Sequence, residues 1–208
     1  MAILSNNSIG GFSGKTGGMV GYQLNGRTII RSIGSRSKKV SEKELNNRAK
    51  FALTQQWLRP LLPFLRIGFK NYAPTFQGFV AAKSYVSKHA LKQKEDGSYF
   101  IDPALVMISH GHLPLPDHLK MESNGSNVVV TWDDLPYTSI AQDVMMVAYD
   151  PLSRSIWGDT TLSKRHLKNA ELTIPKRSRE HEYHVYIAFI AYDHSAQSNS
   201  YYLGSVTV

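Results

Sequence analysis

The pattern of apolar and polar positions is first informative around Asn25-Gly26, where two short strand-forming runs meet. Asn-Gly is a favoured pair in two-residue hairpin turns, so the pattern predicts a β-hairpin with strands Met19–Leu24 and Arg27–Arg31. An isolated two-stranded hairpin is only marginally stable in water. We therefore expect it to lie against helices of its own domain or against a neighbouring copy.

Helical spacing begins after residue 40. Ser41 and Glu44 form a predicted capping box, in which each residue satisfies a backbone N–H of the other, and Pro60 ends or kinks the helix. The apolar residues that share one predicted face are Leu45, Ala49, Ala52, Leu53 and Trp57. This face is expected to belong to the core.

Two further helical segments are predicted. Leu61–Phe69 indicates a short helix or an irregular turn whose aromatic residues need burial. A third helix is expected to run to about Ala90 with Thr75 as its N-cap. Gly78 weakens this helix by about 1 kcal/mol relative to alanine, and we expect the small residue to allow close packing against the glycine-rich hairpin.

From about residue 99 the chain changes to short β-rich runs separated by turn-forming clusters, which is typical of a β-sandwich. The predicted runs begin at Tyr99, Ala104, Asn127, Asp143, Glu171, His184 and Tyr201. Their layout, with Trp132 ending an early strand and Pro175 following a later one, is similar to fibronectin type III modules. The sequence therefore predicts an α+β protein with a glycine-rich hairpin and helices over residues 1–95 and an all-β sandwich over residues 96–208.

Composition narrows the class of protein. The chain has 208 residues, 42% of them hydrophobic, which is enough for ordinary cores. No apolar run reaches about eighteen residues, so no membrane span is expected. The N-terminus lacks the basic and apolar regions of a classical signal peptide, which leads us to expect cytoplasmic synthesis, with location in a released particle or filament left open. With no cysteine, the chain has no disulfide, thiol nucleophile or cysteine zinc site.

Charge is distributed unevenly along the chain. The net charge of +8 combines a balance of +12 in residues 1–100 with −4 in residues 101–208. Such a division suggests that the basic half meets a polyanion or that it faces the acidic half of another copy. A solvated surface without a partner is the third alternative.

Glycine is concentrated near the N-terminus, where seven of the fifteen glycines lie between Gly10 and Gly26. Gly14-Lys15-Thr16 resembles the end of a phosphate-binding P-loop. However, that motif requires four residues between its glycines, and only three separate Gly10 from Gly14. The flanking segments also lack the buried strand and the helix of a P-loop, so we expect no nucleotide cofactor.

The same segment resembles a known family. Gly-Phe-Ser-Gly-Lys-x-Gly-x-x-Val-Gly-Tyr over Gly11–Tyr22, Arg-Thr-x-x-Arg-Ser over Arg27–Ser32 and Asn-x-Arg-x-Lys-Phe over Asn46–Phe51 are similar to uncharacterised Bacteroidota proteins known only as a domain of unknown function. The resemblance is strong over about the first seventy residues. It implies no activity and no catalytic residues.

The sequence gives little support for a catalytic site or a metal site. His110 and His112 supply two imidazoles where a metal site needs three or more ligands, and His181 and His184 are one residue short of a His-Glu-x-x-His motif. Asp133 and Asp134 are adjacent at a strand end and are expected to face opposite ways. We therefore expect a non-enzymatic protein with no catalytic residue, cofactor or metal.

These patterns lead to two functional hypotheses. The first is a structural protein that assembles head to tail with copies of itself, as a filament, tube or particle, through its glycine-rich segment. Its expected interface residues are Phe12, Lys15, Val20, Tyr22, Arg27, Ile29 and Arg31. The second is a component of a phage-like particle that binds nucleic acid or another polyanion through a basic arm. Its expected contacts are Arg36, Lys38, Lys39 and Lys43.

Overall fold

The computed structural model describes residues 2–4, 13–24, 26–35, 40–72, 77–133 and 142–208. The chain divides into two compact units, Met1–Leu45 and Asn46–Val208. This division differs from the predicted boundary between residues 95 and 96. Its physical reason is the shared core described below, which joins the helices after residue 45 to the strands that follow them.

The first unit contains a four-stranded antiparallel sheet in the order β1-β4-β3-β2. Its strands are β1 (Ala2–Leu4), β2 (Gly14–Thr16), β3 (Met19–Leu24) and β4 (Arg27–Ser32). The predicted hairpin is confirmed, because β3 pairs with β4 and Leu24 lies opposite Arg27. Gly26 has a φ of +74° in the turn, a conformation that costs glycine little. The hairpin is extended by one further strand at each edge.

The three helices are α1 (Glu42–Leu58), α2 (Leu62–Gly68) and α3 (Gly78–His89). The predicted start of α1 is confirmed by a hydrogen bond from the Glu44 N–H to Ser41 Oγ, with an N···O distance of 3.3 Å. The predicted apolar face is wrong for most of the helix. Leu45, Ala49 and Ala52 are exposed, because α1 meets the core only through its last turns, where its buried residues lie.

The start of α3 also differs from the prediction. Thr75 lies outside the described residues, and the N-cap of α3 is Gln77, without a side-chain capping bond. The close packing expected at Gly78 is present, but its partner is α2. A Cβ atom at Gly78 would lie 2.3 Å from the carbonyl oxygen of Leu65, which only a residue without a side chain permits.

The second unit is rich in antiparallel strands, which makes the chain a mixed α+β protein. The strands are β5 (Leu91–Gln93), β6 (Tyr99–Ile101), β7 (Asp117–Asn124), β8 (Asn127–Asp133), β9 (Gln142–Asp150), β10 (Ser155–Lys164), β11 (Asn169–Thr173), β12 (Glu182–Ala191) and β13 (Tyr201–Thr207). They form a four-stranded sheet β10-β9-β12-β13, a three-stranded sheet β11-β8-β7 and a β5-β6 pair. The run predicted from Ala104 is not a strand, since a 3-10 turn begins it at Pro103–Leu105.

The four-stranded sheet of the second unit is covered on both faces. Along β9, Val144, Met146 and Ala148 share a core cluster with residues of β8, β11 and β12. The alternate residues of β9, including Met145 and Val147, pack in a second cluster with α1, α2 and α3. Because successive side chains of a strand point to opposite faces, this sheet is the middle of three layers, with the helices on one side and β7, β8 and β11 on the other.

Candidate assembly interface

Strand register brings the described residues of the expected interface onto one face of the first sheet. Lys15 lies opposite Val20, and Val20 lies opposite Arg31, Tyr22 opposite Ile29 and Leu24 opposite Arg27. Directly opposed residues share a face of an antiparallel sheet. We call this set the assembly face: Lys15, Val20, Tyr22, Leu24, Arg27, Ile29 and Arg31.

The expected interface and the assembly face differ in two residues. Phe12 lies outside the described residues. Leu24 was not predicted, although it shares a face with Tyr22 and directly precedes the turn. The alternation of β3, in which residues two apart share a face, is the signal that identifies it.

The first sheet has little core of its own. Of the residues in β2, β3 and β4, only Gly21 and Ile29 are buried, and they lie on opposite faces. On the assembly face Val20 and Tyr22 are half-buried, while Leu24 is 50% exposed. Small sheets need a hydrophobic face packed against another layer to be stable. This sheet therefore leaves apolar area available for a covering surface.

The assembly face carries positive charge around its apolar centre. Lys15, Arg27 and Arg31 are exposed, and the described parts of β2, β3 and β4 contain no acidic residue. The Arg31 guanidinium carbon lies 5.8 Å from the ring centroid of Tyr22, a distance at which a cation is attracted to the ring face. An acidic partner surface would complement this charge.

The edge at β2 is suited to strand addition. Only three residues form it, Gly14, Lys15 and Thr16, and all are exposed. An edge strand presents backbone N–H and C=O groups on its outer side, and no described strand pairs there. Since Gly14 has no side chain, little shields this edge from another strand.

The structure describes one of the four residues that were expected to contact a polyanion. Arg36, Lys38 and Lys39 lie outside the described residues. Lys43 is exposed in the first turn of α1. Beside it, Glu42 and Glu44 place negative charge in the same turn.

The segment that resembled a P-loop is an extended strand. Gly14, Lys15 and Thr16 form β2 and pair with Gly21, Val20 and Met19. A phosphate cradle needs successive backbone N–H groups turned towards one point at the start of a helix. The paired strand does not provide this arrangement.

The histidines occupy separate environments. His110 packs by its ring against Tyr72, with centroids 4.8 Å apart, and His184 Nδ1 lies 3.0 Å from the Tyr202 hydroxyl. Asp133 lies 3.2 Å from His118 Nδ1, while Asp134 is outside the described residues. Within the described part of the chain, no group of three or more His, Asp or Glu side chains converges as metal ligands would.

One polar network contains the residue types of a nucleophilic site. His181 Nδ1 lies 2.7 Å from Asp150 Oδ2, and the Ser153 hydroxyl donates to the same carboxylate oxygen at 2.6 Å. Burial alone raises the pKa of Asp150, but hydrogen bonds from Ser153, His181 and the Leu152 N–H outweigh it and hold the pKa below its usual value. In a nucleophilic triad the histidine stands between serine and aspartate. Here the aspartate is central, an arrangement that stabilises the turn after β9 and does not activate the serine.

Arg165 is a buried cation with a packing role. Its Nη1 atom donates to the Pro114 carbonyl and to Gln142 Oε1, both at 2.8 Å, and its guanidinium carbon lies 4.8 Å from the ring centroid of Phe189. Hydrogen bonds offset the cost of removing a charge from water. Arg165 thereby ties the segment before β7 to the start of β9.

Comparison with known proteins places the chain in a family. No helix of the described residues is long and apolar enough to cross a membrane. No curated protein matches the chain. The model of a family of unknown function, DUF6266, matches residues 11–204, a span that includes the glycine-rich strands, the helices and nearly all of the layered unit. The chain therefore belongs to the family of unknown function DUF6266.

Proposed function

We propose that this protein is a non-enzymatic structural protein that assembles head to tail with copies of itself through its N-terminal sheet. The observation that carries the proposal is the exposure of Lys15, Leu24, Arg27 and Arg31 on the assembly face, together with the outer side of β2, where no described strand pairs. A sheet that buries only Gly21 and Ile29 in β2, β3 and β4 gains stability when another surface covers it.

Strand addition and charge would act together in this assembly. An edge strand of the next copy would add main-chain hydrogen bonds at β2, a common mode of recognition. The basic residues 1–100 would then face the acidic residues 101–208 of that copy, since their balances are +12 and −4.

We further propose that the strands after residue 116 form a fibronectin type III-like sandwich. Two antiparallel sheets enclose one core, and Trp132 and Phe189 meet there with ring centroids 5.3 Å apart. Of the seven strands β7 to β13, the first, second and fifth form one sheet and the others form the second sheet. This order of strands supports the proposal.

The resemblance to Bacteroidota proteins stays a proposal about the origin of the chain. Its support is the Gly11–Tyr22 motif, which falls at the start of the matched residues.

The polyanion hypothesis is the second candidate function. Its support is the positive charge of Lys15, Arg27 and Arg31 on a single face.

Assembly can be tested by reversing the charge of the assembly face. The triple variant Lys15→Glu, Arg27→Glu, Arg31→Glu changes exposed side chains only, so we expect the fold to persist and the oligomers to dissociate. Light scattering and electron microscopy of the purified full chain measure this. The control is Lys176→Glu, Arg177→Glu, Arg179→Glu, which makes the same charge change at exposed positions of the acidic half and should leave the oligomers intact.

Two results would contradict the proposal. One is a wild-type chain that remains monomeric at high concentration. The other is a variant of the assembly face, or a chain lacking residues 1–31, that assembles as the wild type does. Binding of nucleic acid by a monomeric wild-type chain, abolished in the same triple variant, favours the polyanion hypothesis.

A further inference from the structure

Two clefts adjoin on the helical layer of the second unit, and both are lined by Gln55 and Arg59. The first, of about 730 Å³, extends from α1 to Arg154 in the turn between β9 and β10. The second, of about 770 Å³, is bounded by α2 and the start of α3 and includes Arg66 and Phe79. We refer to the two together as the helical cleft.

The helical cleft is positively charged. Arg59, Arg66 and Arg154 line it and are exposed, and no acidic residue lines either part. Among the described residues none of the three arginines forms an ion pair. Cations gathered in a concave surface raise the local positive potential and attract anions. Guanidinium groups are well shaped for phosphate oxygens, which they bind in a bidentate manner.

Aromatic and amide side chains lie beside these cations. Phe51 is 56% exposed on the surface of α1. The Lys83 ammonium lies 4.5 Å from the Phe51 ring centroid and 5.2 Å from that of Phe79, and it donates to Gln55 Oε1 at 3.4 Å. Of these two rings Phe51 is the exposed one, and an exposed ring beside a cation offers a surface on which a nucleic acid base stacks.

Arg154 reaches the cleft from a tight turn. Its φ of +57° lies in the left-handed region. His118, Lys168 and His194 adopt the same conformation, so this backbone is a feature of the turn and is not itself evidence of a site. The turn places the Arg154 side chain at the cleft, where a glycine would supply no charge.

We propose that the helical cleft binds single-stranded nucleic acid, with Arg59, Arg66 and Arg154 contacting phosphates and Phe51 stacking on a base. An acidic protein segment would use the same cations, but it would leave the exposed ring of Phe51 without a matching group. A base has an aromatic face for that ring and polar edges for the amide of Gln55. This site lies within Asn46–Val208 and does not rest on assembly through the first sheet.

The test measures fluorescence anisotropy of labelled oligodeoxythymidylate of about twenty nucleotides with the full chain, at several salt concentrations. Wild type should bind, and its affinity should fall linearly with salt on logarithmic axes. Arg59→Gln, Arg66→Gln should weaken binding at least about tenfold at low salt. Because each phosphate neutralised on a single strand contributes about 0.7 to the salt slope, removing two such arginines should lower the slope by about 1.4. Phe51→Ala should weaken binding about tenfold with the slope unchanged, and Phe51→Tyr should restore it.

A matched control separates this site from general attraction to a basic chain. Arg177→Gln, Arg179→Gln makes the same charge change at exposed residues after β11, and we expect affinity within about twofold of wild type. Circular dichroism and thermal unfolding establish that each variant is folded.

Four outcomes would overturn the proposal. They are no binding by wild type, equal weakening by the two double variants, full affinity of Phe51→Ala, and tighter binding of a labelled oligoglutamate than of the oligonucleotide at the same cleft. The last would identify an acidic protein segment as the occupant. Binding that persists when the charge-reversed assembly face prevents oligomers shows that the cleft acts independently of assembly.

Discussion

Each unit of this protein contains a four-stranded antiparallel sheet, and the two sheets differ in how their faces are covered. In the second unit every residue of β9 is buried, because helices cover one face and a second sheet covers the other. In the first unit β3 and β4 bury one residue each. The same secondary structure is thus self-sufficient in one unit, while in the other it leaves most side chains exposed. The difference separates residues that serve stability from residues available for partners.

The largest difference is expected when one methionine in each sheet is shortened. Met145 is fully buried in β9, whereas Met19 is 51% exposed in β3. Met145→Ala should lower the free energy of unfolding by about 3 kcal/mol, since it removes buried apolar area and leaves a cavity. Met19→Ala should change it by less than about 0.5 kcal/mol. Urea unfolding of the two variants measures both, and equal losses would show that Met19 belongs to a core as Met145 does.

A glycine in each unit gives a smaller contrast. Gly78→Ala should cost about 2 kcal/mol, because the added Cβ meets the Leu65 carbonyl oxygen at 2.3 Å. Gly18→Ala adds a methyl group with no atom within 4 Å and should be nearly neutral. Thermal unfolding can compare them. The helix propensity of alanine acts in the opposite direction at Gly78, so an increase in stability there would refute the close packing of α2 and α3.

The smallest effect concerns pH, which acts on groups buried in the second unit. Burial lowers the pKa of His184 below its usual value of 6.5, against the carboxylates of Glu182, Asp150 and Asp102, which raise it. The unfolded chain therefore takes up this proton first. The contribution of neutral, buried His184 to stability is fully present above about pH 6.5 and is lost as the pH falls towards the lower pKa that His184 has in the folded state.

His184→Gln should reduce the slope of unfolding free energy against pH between about pH 7 and pH 5.5. The measurement is urea unfolding at a series of pH values, with His112→Gln, at an exposed position, as the control. If both variants keep the wild-type slope, burial of His184 does not contribute to the pH dependence.

Sequence predicted the elements that depend on local chemistry. The Asn25-Gly26 turn and the Ser41 cap are fixed by neighbouring residues, and both the hairpin and the start of α1 are confirmed. The apolar face of α1 was predicted wrongly because periodicity identifies a face but not whether a partner covers it. The strands β7 and β10 were missed because their outer positions are polar and their apolar residues are few.

The candidate sites show the same limit. The interface residues predicted in β2, β3 and β4 share one face, as the two-residue period of a strand requires of positions two apart. The helical cleft depends on Arg59 and Arg154, which are far apart in sequence and meet only when the turn after β9 packs beside α1. No local pattern reports that proximity, and for the same reason the shared core of helices and strands was not predicted.

The two-sided burial of β9 has a consequence for folding kinetics. Its alternate residues are covered only when the helices have reached one face and the sheet of β7, β8 and β11 has reached the other. Contacts between residues distant in sequence slow folding, since the chain must close long loops before burial stabilises them. We therefore expect the second unit to fold slowly and cooperatively, because neither outer layer can leave without exposing one apolar side of the strand that both layers share.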